Sequence, residues 1–142
     1  LQTEFSETNG AFSPDGRWVA YNSDESGTME IYVRPFPSSR GKWQVSTAGG
    51  GQPAWRNDGK ELYYVAPDRK IMAVEIKPGS DFSAGLPVPL FEAPIRLEGI
   101  TESHSAFVAS ADGQRFLVNT INEEAAHVPI TVVVNWAAEL KK

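Results

Sequence analysis

The side chains with the greatest potential for chemistry are the two histidines, His104 and His127. A histidine acts as the general base of a catalytic triad when a serine and an acid are held beside it. His104 lies between Ser103 and Ser105, but no Gly-x-Ser-x-Gly nucleophile motif occurs in the sequence. His127 lies in a polar stretch and is expected at the surface. We therefore predict no catalytic residues and a protein that is not an enzyme.

Sites for phosphates and metal ions are also not indicated. The cluster Gly49-Gly50-Gly51 lacks the Lys-Ser/Thr pair that follows in a phosphate-binding loop, so we interpret it as a connector between repeats. The sequence contains no cysteine, and its acidic residues do not alternate as they do in a calcium-binding loop. We therefore expect no metal site and no cofactor.

The amino-acid composition argues against two classes of binding partner, nucleic acids and membranes. Among 142 residues, Lys plus Arg number 13 and Asp plus Glu 18, which gives a net charge of −5 and argues against nucleic-acid binding. No apolar run approaches the ~20 residues that span a bilayer, so we expect no membrane insertion. The first residue, Leu1, is not an initiator, so we expect an excised segment of a longer protein.

The dipeptide Asp-Gly occurs three times, as Asp15-Gly16, Asp58-Gly59 and Asp112-Gly113. These repeats indicate the secondary-structure elements that would position any site. An Asp-Gly pair between short apolar runs predicts a β-hairpin, because Gly accepts a positive φ and the Asp side chain closes the turn. The first two pairs are 43 residues apart and the last two 54, with the excess in the Pro- and Gly-containing stretch 77–89. A period of this length predicts four-stranded propeller blades.

Several expected strands are apolar at consecutive positions, as in residues 62–65 and 131–134. This pattern indicates burial of both faces, as in a blade packed between two others, whereas the strands of a two-sheet sandwich alternate. We predict an all-β fold of three four-stranded blades, over approximately residues 9–48, 51–94 and 103–136. The residues expected to be buried are Phe12, Trp18, Tyr21, Trp55, Leu62, Tyr64, Phe116, Val118, Val132 and Val134.

The residues around the turns resemble a known repeat. Residues 11–21 (AFSPDGRWVAY) and 53–64 (PAWRNDGKELYY) are similar to the repeat of TolB-like β-propellers, and residues 110–117 (SADGQRFL) form a shorter copy. The chain also resembles the C-terminal part of propeller domains attached to some bacterial serine/threonine kinases. The resemblance implies half of a six-bladed propeller, a bacterial source and an extracytoplasmic or periplasmic location.

Propellers of this kind serve as interaction platforms, so the resemblance implies a scaffold for protein interaction or assembly, within a larger sensor or kinase-linked protein. The alternative is a small-molecule or peptide-binding module that uses the central channel, with Asn9, Gln52 and His104 near the starts of the first strands as candidate ligands. A propeller fragment of a prolyl-oligopeptidase-like hydrolase is disfavoured, because the nucleophile motif is missing.

The strand count predicts a partner. The third unit ends without a fourth strand, while residues 1–5 form a candidate strand that belongs to no unit. We predict a homodimer that completes six blades, in which the N-terminal strand of each copy pairs beside the last strand of the other. The residues expected at this strand exchange are Leu1, Thr3, Phe5, Ile130, Val132 and Val134.

Overall fold

The structure, a computed structural model, describes residues 4–38, 40–77, 79–95 and 105–120 and the backbone of residues 130–134. The described residues form eleven strands. In chain order these are β1 (Glu7–Phe12), β2 (Trp18–Ser23), β3 (Glu30–Pro35), β4 (Trp43–Gln44), β5 (Gly51–Trp55), β6 (Glu61–Val65), β7 (Lys70–Glu75), β8 (Val88–Glu92), β9 (Phe107–Ala109), β10 (Arg115–Asn119) and β11 (Ile130–Val134).

The strands form three antiparallel sheets in which neighbours along the chain are neighbours in space. Sheet one has the order β1-β2-β3-β4, sheet two the order β5-β6-β7-β8, and sheet three the order β11-β10-β9. This up-and-down arrangement follows from the short turns, since a hairpin connection makes consecutive strands antiparallel. The described part of the chain is therefore all-β, as the sequence predicts.

The three Asp-Gly turns have the same backbone conformation, with φ of 70° at Gly16, 72° at Gly59 and 69° at Gly113. This confirms the predicted positive φ. In the first turn, Asp15 accepts hydrogen bonds from Ser13 Oγ at 2.6 Å and from the Arg17 N–H at 3.1 Å. Each turn is therefore closed by its own aspartate, which is why the dipeptide recurs at the same place in each sheet.

The second turn uses arginine in place of serine. Arg56 donates from Nε and Nη2 to the two carboxylate oxygens of Asp58, at 2.7 and 2.8 Å. This contact, together with a hydrogen bond from the Lys60 N–H, holds the pKa of Asp58 at about 2. The carboxylates of the turns therefore have a structural explanation within the repeat.

Sheet two lies between the other two sheets. Leu62 and Tyr64 belong to a core shared with sheet one, whereas Tyr63 and Val65 belong to a core shared with sheet three. All four residues are at most 5% exposed. The consecutive apolar pattern of β6 thus reflects burial on both faces, as predicted, because successive side chains of a strand point to opposite sides.

Of the ten predicted core residues, six are buried and one, Phe12, is wrongly predicted, while the side chains of Val132 and Val134 lie outside the described residues. Trp18, Tyr21, Leu62, Tyr64, Phe116 and Val118 are between 0% and 8% exposed. Phe12 is 59% exposed, because it ends β1 opposite Val19, on the face of sheet one that points away from sheet two. Trp55 is half-buried, and its indole N–H donates to the carbonyl of Ala11 at 3.0 Å.

The stretch 77–89, predicted to be an inserted loop, covers the core between sheets one and two. Phe82, 7% exposed, packs its ring against Trp18 and Trp43, with both ring centroids 5.4 Å away. The outer strands are less regular than predicted, since β4 contains only two residues. The aromatic side chain of the loop therefore completes a core that the short β4 leaves open.

Candidate binding site at the inner rim

The first strand of each sheet lies at a common centre. A cavity of about 320 Å³ is lined by the ends of all three: Ala11 and Phe12 of β1, Trp55 of β5 and Ala109 of β9. The starts of the first strands meet in the same way around a second cavity of about 380 Å³, lined by Asn9, Gln52 and Ala106 among others. We call this second cavity the inner-rim cavity.

The inner-rim cavity contains two of the three predicted channel residues. Asn9 and Gln52 have positive φ values of 54° and 57°, which are uncommon for residues other than glycine. Each lies where the register of its strand with the next one shifts, which marks a β-bulge. Bulges and uncommon backbone conformations are enriched at binding sites, where they redirect a side chain out of the regular pleat.

Hydrogen bonds connect the three sheets at this cavity. The Gln52 N–H donates to Asn22 Oδ1 of sheet one at 3.1 Å, and Gln52 Oε1 accepts from the N–H of Ala106, which precedes β9. Asn22 Nδ2 in turn donates to Thr8 Oγ1 at 3.4 Å. Gln52 is therefore a link between all three sheets as well as a lining residue, a role that the sequence pattern did not indicate.

A buried carboxylate outside the cavity lining holds the connection between β4 and β5 in place. Glu30, 3% exposed, accepts hydrogen bonds from Ser46 Oγ and from the Gly49 N–H, the latter at 2.9 Å. At Gly50 a Cβ would lie 2.9 Å from both Ser46 Oγ and a ring carbon of Tyr64. Gly49 and Gly50 thus lie in the connection between β4 and β5, and Gly51 is the first residue of β5. The close packing leaves no room for a side chain at Gly50.

Among the described residues, those that line the inner-rim cavity are uncharged. They are Thr8, Asn9, Met29, Asn22, Gly50, Gly51, Gln52, Val65, Ala66, Pro67 and Ala106. Amide and hydroxyl groups both donate and accept hydrogen bonds, so this lining matches a neutral polar ligand better than a charged one.

A third cavity lies at the opposite end of sheets one and two. It measures about 540 Å³, and charges of both signs line it, including Asp15, Arg17, Asp58 and Lys60. Arg17 is paired with Asp15 at 2.8 Å, and Asp58 with Arg56 at 2.7 Å. The described lining also includes Lys60, Glu75, Lys77 and Asp81, so acidic and basic side chains are mixed and do not select a ligand of one charge sign.

Several predicted site residues are not placed at a site. His104, Leu1 and Thr3 lie outside the described residues, as does His127. Phe5 is described, is 42% exposed and belongs to no strand. Ile130, Val132 and Val134 lie in β11, whose backbone pairs with β10.

The described ranges contain neither a candidate metal site nor a candidate membrane-spanning helix. Among these residues, no group of three or more histidines, cysteines or acids could hold a metal ion. No helix in the same part of the chain has the length and apolar character needed to cross a membrane.

Comparison with known proteins supports the fold. No protein-family model matches the sequence, and no curated protein matches it. An oligogalacturonate lyase from Vibrio parahaemolyticus superposes with a TM-score of 0.57 and 14% identity, over 83% of this chain and 31% of its own. An oligogalacturonate lyase in complex with manganese has the same TM-score and 18% identity, over 87% of this chain and 31% of its own.

Two other structures are similar over almost all of this chain. A proposed 6-phosphogluconolactonase from Bacteroides uniformis has a TM-score of 0.54 and 16% identity, over 94% of this chain and 42% of its own. A TolB from Acinetobacter baumannii aligns over 95% of this chain and 45% of its own at 14% identity, but its TM-score of 0.44 is too low to support an inference.

These likenesses concern the fold alone. The similar proteins are of the propeller type, and this chain shares that all-β architecture. It spans about a third of the length of the lyases. At identities of 14–18% their activities do not transfer to this chain.

Proposed function

We propose that this chain is a non-catalytic assembly module of the propeller type whose two outermost sheet faces bind a second copy. The observation that carries the proposal is an exposed apolar face at each end of the three-sheet stack. On the outer face of sheet one, Phe12 and Phe36 are 59% and 52% exposed. On the outer face of sheet three, Val108 and Leu117 are 56% and 43% exposed. Apolar side chains grouped in this way are typical of a surface that another protein covers.

The repeat relates these two faces to contacts inside the chain. The fourth residue after each turn aspartate is Val19, Leu62 or Phe116. Leu62 packs in the core shared with the preceding sheet, and so does Phe116. Val19 occupies the same position in sheet one, where the described residues include no preceding sheet. The outer face of sheet one is thus the kind of face that packs onto a preceding sheet.

The outer face of sheet three is the kind of face that packs onto a following sheet. The fifth residue after each turn aspartate is Ala20, Tyr63 or Leu117. Ala20 and Tyr63 are buried in cores shared with the following sheet, whereas Leu117 is exposed. Sheet three of one copy and sheet one of another therefore present the two halves of an interface that the chain already forms twice.

A second copy covers the apolar outer faces of both sheet one and sheet three. Two chains related by a twofold axis give six sheets, within the four to eight blades of known propellers, and cover both apolar faces. Sheet three also has room for the predicted strand exchange, since β11 is its outer strand and pairs only with β10 among the described residues. We propose that Leu1, Thr3 and Phe5 of each copy pair there with the β11 edge of the other.

The first test is the mass of the chain in solution. Light scattering at micromolar concentration is expected to give about twice 15.5 kDa. Leu117→Lys places a charge on the proposed interface and is expected to give the single-chain mass. Deletion of residues 1–5 is expected to weaken association, because it removes the exchanged strand.

Leu86→Lys is the matched control. Leu86 is 86% exposed, but it precedes β8 at the outer edge of sheet two, away from both end faces. The Leu86→Lys variant is expected to keep the mass of the parent. A folded single chain for the parent, or dissociation by both lysine variants alike, would refute the assembly function.

A second function is favoured by the inner-rim cavity. We propose that it binds a neutral, amide-bearing ligand such as a peptide segment. The support is the uncharged lining, together with the two bulges that place Asn9 and Gln52 at one cavity of about 380 Å³. Oligogalacturonate carries many carboxylates, which favour cationic residues, and none of the described lining residues is cationic.

This second function is tested with a capped neutral tripeptide and with galacturonate as the charged comparison. The tripeptide is expected to shift the side-chain amide NMR signals of Asn9, Asn22 and Gln52, and galacturonate is expected to leave them unchanged. Asn9→Gly permits the same positive φ but removes the amide, so it should weaken peptide binding without loss of stability. Asn57→Gly, in an exposed turn, is the control. Equal shifts with galacturonate, or no shift with the tripeptide, would exclude this function.

A further inference from the structure

The contact between sheets one and two joins two positions that can be defined by their distance from the turns. Gln52 lies six residues before the turn residue Asp58, and Asn22 lies seven residues after Asp15. The Gln52 N–H donates to Asn22 Oδ1 at 3.1 Å. This N–H is available because the bulge removes Gln52 from the register of β5 with β6. At this contact, the seventh residue after one turn thus accepts a hydrogen bond from the bulge residue of the next sheet.

The contact between sheets two and three uses a different acceptor. The seventh residue after Asp58 is Val65, which has no side-chain acceptor. Ala106 lies six residues before Asp112, in the position equivalent to Gln52. Its N–H donates instead to Gln52 Oε1. The N–H at this position is thus satisfied by the preceding sheet at both contacts, through whichever side chain offers an oxygen.

The two end faces of the stack carry the positions equivalent to Asn22 and Gln52. The seventh residue after Asp112 is Asn119, which is exposed at the end of β10. The bulge residue of sheet one is Asn9, which lies six residues before Asp15 and is likewise without a partner in the register of β1 with β2. An acceptor amide at one end of the stack and a bulge N–H at the other thus repeat the pair formed by Asn22 and Gln52.

We infer that two copies associate head to tail, sheet three on sheet one, and that Asn119 Oδ1 of one copy accepts the N–H of Asn9 of the other. This inference rests on the proposed assembly function and adds its orientation and register. A like-on-like contact, sheet one on sheet one or sheet three on sheet three, would bring two equivalent faces together. Neither contact inside the chain does this, and such a contact would not match an asparagine oxygen with a bulge N–H.

The test is disulfide trapping. The chain contains no cysteine, so only the introduced cysteines can form a disulfide. Asn9→Cys and Asn119→Cys chains are mixed, oxidised and separated without reductant. The mixture is expected to give a two-chain product, whereas each variant alone gives none. The double variant Asn22→Cys/Gln52→Cys calibrates the geometry, since these residues form the equivalent contact within one chain and are expected to give an intrachain disulfide.

The outcomes distinguish a failure of this inference from a failure of the proposed assembly function. A parent with single-chain mass refutes both. A parent with two-chain mass, no mixed product and an intrachain disulfide in the calibration variant refutes the inference alone. A product from Asn119→Cys by itself also refutes the inference, since it shows sheet three on sheet three.

A second measurement does not depend on cysteine at a positive φ. Asn119→Ala leaves the N–H of Asn9 without its acceptor at both contacts of the dimer, so the dissociation constant is expected to rise about tenfold or more. Gln114→Ala, in the exposed turn before β10, is the control and should leave the constant unchanged. An unchanged dissociation constant for Asn119→Ala overturns the inference.

Discussion

Replacement of Phe116 by alanine is expected to destabilise the fold by roughly 3–5 kcal/mol. Phe116 is 0% exposed, and its ring lies 5.1 Å from that of Tyr63, 5.3 Å from Phe91 and 6.2 Å from Phe107. Alanine removes these contacts and leaves a cavity that rings from three different strands cannot readily close. Urea unfolding followed by tryptophan fluorescence measures the change.

The control for this prediction is Val108→Ala, in the strand beside β10. Val108 is 56% exposed and lies on the opposite face of sheet three, so its truncation is expected to change the free energy of unfolding by less than about 0.5 kcal/mol. Both variants are compared in the Leu117→Lys background, so that association does not add to the stability. A loss below about 1 kcal/mol for Phe116→Ala would mean that sheet three does not pack on sheet two as described.

Alanine at Gly113 is expected to be more destabilising than alanine at Gly16, although the two glycines have φ values of 69° and 70° in equivalent turns. The positive φ costs about 1 kcal/mol or more at either position. At Gly113 the new Cβ would also collide with Tyr63 Oη and lie 2.8 Å from Arg56 Cδ, whereas at Gly16 nothing lies within 4 Å. We expect a further 1–3 kcal/mol, roughly, for Gly113→Ala from this overpacking.

Thermal unfolding of the two variants measures the difference directly. Because the backbone conformation is the same, the difference between them reports only the contact between the third turn and sheet two. Equal melting temperatures would show that this turn is not packed against Tyr63 and Arg56.

Much of this fold can be predicted from local patterns. Each Asp-Gly pair specifies its own turn, because the aspartate closes it and the glycine adopts the positive φ within a few residues of chain. The alternation of side chains along β6 then requires that a run such as 62–65 be covered on both sides. These inferences need no knowledge of distant residues, which is why the turns, the sheets and most of the core follow from the sequence.

The contacts at the inner-rim cavity could not be predicted from the sequence, because they depend on tertiary structure. The sequence indicated Asn9 and Gln52 as residues near the starts of first strands, but not that bulges free their N–H groups or that Gln52 joins three sheets. Those contacts join residues 30 and 54 positions apart, so no local pattern reveals them. The exposure of Phe12 was also decided by tertiary structure, because an apolar residue at the end of a strand is buried only if another sheet packs on its face. The sequence by itself thus determined which residues form turns and sheets, since hairpins depend on near neighbours, whereas the stacking of the sheets decided which faces are covered and which polar groups meet.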